Sequence, residues 1–276
     1  MQTILVPTDF SANATNAVTY AAQLAKKMNA GIVLLHAYML PTPVSEVPYV
    51  MVNAEEIQRE NEQLAKEEAR KLEAAHGIGV SYIVRLGFPS EEIESVIEDQ
   101  PIDLVVMGMR GKGTLEKMMG STTTSVIKKL RKPILVVPQD STYREIKQVT
   151  YATDFSYTVS FHVYDPLISI LNLFNAYLHI VHVQKGRDEL NSQEIAGEIQ
   201  LDPVFSSIQH EFHIVKDTEV KHGIKSYLEE HQTDLLVMVT HEHSFLERLF
   251  GRSHTKAMVY DTHIPLLVLK DWKNAG

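Results

Sequence analysis

The residues best suited to chemistry are concentrated in the stretch MGMRGKGTLEKMMGST, which runs from Met107 to Thr122. Four of its sixteen residues are glycines. Gly108 and Gly111 have no Cβ to keep the backbone away from a ligand, and they can adopt a positive φ. Arg110 adds a positive charge between them. This composition would suit the binding of a phosphate chain.

The end of the stretch has the features of a helix that begins at an anion site. Gly120, Ser121 and Thr122 lie where a helix is predicted to start, and the free N–H groups and dipole at a helix N-terminus attract anions. The alternative is an ordinary strand–loop–helix connection in which the glycines serve turns and Ser121 caps the helix. Spacing alone leaves both open, because the stretch has no Walker A triplet and no GxGxxG pattern follows the first strand.

The chain repeats one domain in tandem. Thr-Asp-Phe-Ser follows a strand-like run at residues 8–11 and again at 153–156, and His36 corresponds to His182. The runs IDLVVMG and KPILVVP return as TDLLVMV and IPLLVLK. The offsets between the copies are 145, 146, 131 and 132 residues, so the order is kept and only the connections differ. We predict domains at residues 1–140 and 147–276, joined around QDSTYREIK.

The pattern within each half is typical of an α/β fold. ILVP, IVLLHAY, VSYIVRL, DLVVMG and ILVVP are short continuous apolar runs, as expected for parallel strands buried on both faces. Helices are predicted at residues 13–29, 55–76, 90–98 and 121–130. The spacing of Ile57, Leu64 and Leu72 predicts the buried face of the second helix, and Pro-Ser-Glu-Glu resembles the N-cap of the third. The expected fold is two tandem doubly wound, Rossmann-like domains, each with a five-stranded, mostly parallel sheet flanked by helices.

Three segments are expected to meet at one edge of the first sheet. In doubly wound folds, ligands bind beyond the carboxyl ends of the strands, where the strand order reverses. Pro7, Thr8 and Asp9 follow the first strand, and Ala37 lies at the end of the second. The glycine stretch follows the fourth. The residues from these three segments are therefore the candidate site.

The block Gly108-x2-Gly111-x8-Gly120-Ser121, followed by VIKKLRKPILVVP, resembles the nucleotide-binding signature of the universal stress protein family. The likeness extends to ILVPTDFS, LLHAY and GFPSEEI in the first half, and more weakly to the second half. The family pattern usually has nine residues between the second glycine and the Gly-Ser pair, whereas this chain has eight. That shorter segment keeps open the alternative of a chain that binds no nucleotide.

The resemblance implies ATP as the ligand, alone or with Mg²⁺, and assigns a role to each matching position. Its adenosine end would contact Pro7, Thr8 and Asp9, with the base edge at the backbone of Ala37. The ribose and phosphates would border Met107, Gly108, Arg110 and Gly111, and the phosphate tail would lie at Gly120, Ser121 and Thr122. The resemblance also implies that the last strands of the two halves pair about a pseudo-twofold axis, so that one chain mimics a family dimer. A further homodimer is possible on the same grounds.

The second half lacks this signature. Val239 takes the place of Gly108, Glu242 that of Gly111 and Arg252 that of Ser121. A Cβ and a carboxylate at these positions would block and repel a triphosphate, so we predict nucleotide binding in the first half alone. The histidines of the second half have no tight ligand spacing, and no firm metal site is predicted. His36 and His182, inside apolar runs, are expected to be partnered histidines.

Composition narrows the choice of function. The net charge of −9 argues against a general nucleic-acid or anionic-membrane binder. The chain has no cysteine and no long apolar run, and its N-terminus has no secretory pattern, so we expect a cytoplasmic protein with no membrane span.

The leading hypothesis is an ATP-binding stress-response regulator, a switch or sensor acting on a protein partner that the sequence does not identify. No Walker B acid or nucleophile elbow is evident, so at most slow hydrolysis is expected. The alternative is an interaction scaffold of the same fold. An ATP pyrophosphatase is disfavoured, because PTDFSANA stands where an SGGxDS-like loop would be.

Overall fold

The computed structural model describes residues 2–40, 53–109, 121–153, 155, 160–186, 192–240 and 263–271. The first half contains β1 (Thr3–Pro7), α1 (Ala12–Met28), β2 (Gly31–Tyr38), α2 (Ala54–His76), β3 (Val80–Leu86), α3 (Pro89–Asp99), β4 (Leu104–Met109), α4 (Ser121–Lys129) and β5 (Ile134–Pro138). The second half contains β6 (Gln148–Thr153), a 3₁₀ helix (Phe161–Tyr164), α5 (Asp165–Phe174), β7 (Tyr177–Gln184), α6 (Ser192–Val204), β8 (His210–Lys216), α7 (Val220–Glu230), β9 (Leu235–Thr240) and β10 (Leu266–Lys270).

All ten strands form one sheet in the order β3-β2-β1-β4-β5-β10-β9-β6-β7-β8. Neighbouring strands within each half are parallel, as the continuous apolar runs predicted. The halves join where β10 pairs antiparallel with β5, with Leu267 opposite Leu135. The expected pairing of the last strands is thus present within one chain. The tandem α/β fold is confirmed, and the exact domain boundaries stay a prediction.

Each strand contributes side chains to both faces of the sheet. In β1, Ile4 and Val6 belong to one core, whereas Leu5 belongs to the other, and all three are fully buried. Helix α1 covers the first face through residues such as Leu24. Helix α3 covers the opposite face through residues such as Ile93. This two-sided burial explains the continuous apolar runs of the inner strands. The prediction of burial on both faces was wrong for β3, because it is an edge strand and none of its residues is fully buried.

Two local predictions about the helices were wrong. Leu64 was expected on the buried face of α2 but is 49% exposed, and the buried residues are Ala65, Ala69 and Leu72. Small alanines let this long helix lie close to the sheet. The third helix has no side-chain cap. It starts with Pro89, which is favoured at the first helical position because its missing N–H would have no partner there.

Within the described residues, none of the helices combines the length and the apolar character that crossing a lipid bilayer requires.

Candidate functional site

A cavity of about 360 Å³ lies where β1, β2 and β4 end. Seven of the residues predicted for the site line it: Pro7, Thr8, Asp9, Ala37, Met107, Gly108 and Thr122. The predicted residues Arg110, Gly111 and Gly120 lie outside the described residues, and Ser121 is the first residue of α4. The parallel sheet therefore brings the three expected segments together, and their contact with a ligand stays a prediction.

The cavity also has lining residues that the sequence did not reveal. They are Ser11, Asn13, Ala14, Leu35, Pro89, Ile93 and Thr123. Most come from the first turns of α1 and α3. The sequence did contain a signal for Asn13. A helix is predicted to start shortly after Thr-Asp-Phe, and the first turn of such a helix lies over the end of the preceding strand.

The turn after β1 is held by its own side chains and by β2. The N–H of Phe10 donates to Thr8 Oγ1 over 3.1 Å, and the N–H of Ser11 donates to Asp9 Oδ1 over 3.0 Å. Phe10 adopts a left-handed φ of 58°, which is uncommon for a bulky residue. Its ring packs on His36, with centroids 4.6 Å apart, and His36 Nδ1 lies 2.8 Å from Thr8 O. Because a carbonyl only accepts, His36 carries a proton on Nδ1 in this contact.

The second half builds the same turn. Phe155 has a φ of 55°, and its N–H donates to Thr153 Oγ1 over 3.3 Å. His182 Nδ1 lies 3.1 Å from Thr153 O, and its ring stacks on Phe155 with centroids 4.7 Å apart. The prediction that His36 and His182 are partnered is confirmed.

Gly108 is required by packing between a strand and a helix. A Cβ at this position would lie 2.6 Å from the backbone oxygen of Asn13, closer than real Cβ contacts. Its φ lies outside the left-handed region, so the expected use of positive φ is wrong at this glycine. The glycine lets α1 begin directly over the end of β4, and this places the first turn of α1 at the cavity. In the second half, Val239 occupies the matching position of β9 and is buried.

The electrostatics of the cavity favour an anion at one side. The N-terminal turns of α1, α3 and α4 all contribute to its lining, and helix N-termini carry partial positive charge. Neither α1 nor α4 has an acidic residue in its first turn. Glu91 and Glu92 offset the dipole of α3, and Asp9 is exposed beside α1.

Among the described residues that line the cavity, one buried polar atom has no hydrogen-bond partner. Asn13 Oδ1 is buried and has no hydrogen-bond partner among the described residues. A buried acceptor without a partner is costly, so it indicates a place where a ligand donor or a water would bind.

The chain is thus a tandem repeat of a doubly wound α/β domain, with a cavity at the carboxyl ends of the strands in its first half. The sequence model described as the Universal stress protein family matches residues 1–138 and again residues 145–270. The chain therefore belongs to the universal stress protein family, as its resemblance indicated.

Relatives match one half or the whole chain. Universal stress protein MJ0577 of Methanocaldococcus jannaschii is 33% identical over 150 residues, which cover 49% of this chain and 93% of that protein. Universal stress protein Slr1230 of Synechocystis is 25% identical over 294 residues, covering 98% of this chain and all (100%) of that protein. A crystal structure of a universal stress protein from Archaeoglobus fulgidus has a TM-score of 0.74 at 22% identity, with 97% of this chain and 98% of that chain covered. This last similarity supports the tandem fold.

Proposed function

We propose that the first half of the chain binds an adenine nucleotide, ATP, and that the protein is a nucleotide-dependent regulator in a stress response. The observation that carries the proposal is the cavity at the ends of β1, β2 and β4. Its volume of about 360 Å³ lies in the usual range of ligand pockets. Family membership supports the regulatory role, and the residues of the glycine signature support the nucleotide.

The lining chemistry fits a nucleoside. Asn13 Oδ1 needs a donor, which a ribose hydroxyl or an exocyclic amine would supply. Apolar contacts from Leu35, Met107 and Ile93 would cover a base, because all three line the cavity and are themselves buried. Ala37, at the end of β2, would offer its backbone to the base edge.

The phosphate chain would lie toward α4. Thr122 and Thr123 line the cavity at the start of this helix, whose first turn has no acidic residue. The resemblance assigns the phosphate tail to Gly120, Ser121 and Thr122, and Ser121 begins α4. Bound Mg²⁺ would neutralise phosphate charge. Asp9 is exposed and lines the cavity, so its negative charge would affect the affinity of the cavity for the nucleotide.

The second half is proposed to bind no nucleotide. Val239 is buried at the position where Gly108 admits the start of α1 in the first half. Glu242 and Arg252, which replace Gly111 and Ser121, lie outside the described residues. We therefore expect one nucleotide per chain.

The test is calorimetric titration of MgATP into the nucleotide-free full-length protein. We expect saturable binding of one equivalent, and a Thr122→Ala, Thr123→Ala double variant should bind more weakly. Two equivalents would contradict the assignment to the first half. No binding at millimolar concentrations, together with no nucleotide in the purified protein, would reject the proposal and leave the scaffold function.

A further inference from the structure

Three side chains of metal-binding type converge near the outer end of the sheet, in the second half. His179 is on β7, and Glu211 and His213 are on β8, the last strand of the sheet. Because Glu211 is the register partner of His179 and lies two residues before His213, the three project from the same face. His179 Nδ1 is 3.2 Å from His213 Nε2, and Glu211 Oε1 is 3.0 Å from the former and 2.9 Å from the latter.

We propose that His179, Glu211 and His213 bind a divalent transition-metal ion of the zinc type. Two imidazole nitrogens and one carboxylate oxygen form a ligand set that Zn²⁺ uses with an open fourth position. At metal–ligand distances of about 2.0–2.1 Å, the ligand atoms of a tetrahedron are about 3.4 Å apart. The three distances here are close to that spacing, so the ion would need only a small outward movement of the side chains.

A second contact orients His179 for this role. His179 Nε2 lies 2.8 Å from Oε1 of Gln148, at the start of β6. When Nε2–H donates to this amide oxygen, Nδ1 presents its lone pair to Glu211 and His213, as in metal sites whose histidines are held by an outer hydrogen bond.

Helix α7 packs Tyr227 against the two histidines of the cluster. The Tyr227 ring lies 5.1 Å from the His213 ring and stacks on His231 at 4.0 Å, centroid to centroid. Its hydroxyl is buried without a hydrogen-bond partner among the described residues.

The first half shows that the fold does not need these residues. The register of β2 and β3 places Val33 opposite Ser81, as that of β7 and β8 places His179 opposite Glu211. The position of His213 is then occupied by Ile83. Tyr227, the eighth residue of α7, corresponds to Val96, the eighth of α3. Packing alone is satisfied by these smaller or apolar side chains, so the polar cluster is an added feature of the second half.

The test uses full-length protein stripped with a chelator and titrated with ZnCl₂ by calorimetry and with CoCl₂ by visible absorption. We expect one tight equivalent and the d–d bands of a tetrahedral cobalt site. His213→Ala and Glu211→Gln should each abolish the tight equivalent. Gln148→Leu should weaken it by about 10- to 100-fold, as outer-contact substitutions do.

The matched control is His210→Ala. His210 is on the same strand, and its side chain is 11% exposed against 25% for His213, but it contacts Asp202 instead of the cluster. A second control replaces His241 and His243, which lie outside the described residues. Both controls should keep the tight equivalent, and circular dichroism should show every variant folded.

Three results would overturn the site. The first is that the wild type binds neither ion, which would mean that the cluster is a hydrogen-bonded triad that shares a proton. The second is that the folded Glu211→Gln or Gln148→Leu protein binds the ions as tightly as the wild type does. The third is that the variant without His241 and His243 loses the tight equivalent. MgATP titration of the His213→Ala protein should be unchanged, so this test is independent of the nucleotide proposal.

Discussion

Gly108 on β4 and Asn13 on α1 can occupy their positions only because residue 108 has no Cβ. An added Cβ at residue 108 would lie 2.6 Å from Asn13 O and 3.4 Å from the backbone nitrogen of Ala14. Backbone atoms cannot move aside as a flexible side chain can. The glycine is therefore what allows α1 to begin at the cavity and to place Asn13 in its lining.

We expect Gly108→Ala to destabilise the protein by about 1–3 kcal/mol, the usual cost of forcing an extra carbon into a packed contact. It should also weaken MgATP binding, because α1 must shift at the cavity. Urea unfolding and calorimetry measure the two effects. Gly79→Ala is the control, since an added Cβ there meets nothing within 4 Å. Equal stability of the two variants would contradict the packing role of Gly108.

Asn13 and Asn16 both lie on α1, but their replacement by alanine should have different effects, the first on nucleotide affinity and the second on stability. Asn13→Ala removes an acceptor that has no partner in the described residues, so the stability of the nucleotide-free protein should change little. MgATP affinity should fall about 2- to 10-fold, which corresponds to one hydrogen bond of about 0.5–1.5 kcal/mol.

Asn16→Ala should do the reverse. Asn16 Nδ2 donates to Pro138 O over 2.9 Å and to Ser141 O over 3.0 Å, and it thereby holds the segment after β5 against α1. Loss of these bonds should cost about 1–3 kcal/mol of unfolding free energy with little change in affinity. If Asn13→Ala leaves MgATP affinity unchanged, the nucleoside does not contact Asn13.

The seam between the halves, where β5 pairs with β10, should be a main source of stability. Leu267 on β10 is fully buried opposite Leu135 on β5. Leu267→Ala should cost about 2–5 kcal/mol, because it leaves a cavity in a core that both halves share. Leu86→Ala is the control, since Leu86 is 53% exposed on β3, the strand at one edge of the sheet. A loss below about 0.5 kcal/mol in chemical unfolding of Leu267→Ala would show that the seam contributes little.

Asp103 should contribute to acid sensitivity. Partial burial raises the pKa of its carboxyl, but hydrogen bonds from the N–H groups of Gln2 and Thr3, together with nearby positive charge such as that of Lys132, hold the pKa below its usual value. The contribution of Asp103 to stability is therefore fully present above pH about 4 and is lost as pH falls through the lowered pKa of the folded state.

Asp103→Asn should lower stability at neutral pH by about 1 kcal/mol, because the bonds to a charged acceptor are the stronger ones. Its unfolding free energy should then depend less on pH than that of the wild type between pH about 4 and 2. Asp99→Asn, which affects only an exposed pair with Arg85, should keep the wild-type pH profile. Parallel profiles for wild type and Asp103→Asn would refute the role of Asp103.

Most of the fold was predictable because it rests on local patterns. Continuous apolar runs indicated strands buried on both faces, and the predicted helix at residues 121–130 is present as α4, Ser121–Lys129. The segments at Thr8, Ala37 and Gly108 were expected to meet, because the carboxyl ends of parallel strands share one edge. Leu64 was misplaced because helical spacing does not show how closely a helix approaches the sheet.

The amino-acid sequence alone was enough for the tandem repeat, the fold class, the family resemblance and the loss of the glycine signature in the second half, because each is carried by residue type and spacing along the chain. Tertiary structure decided the rest. The packing reason for Gly108 and the unsatisfied oxygen of Asn13 depend on how closely a helix crosses a strand. The cluster of His179, Glu211 and His213 depends on the register of two parallel strands joined by a crossover connection. Spacing along the chain does not encode such contacts, because the connection between parallel strands can vary in length without changing which side chains face each other.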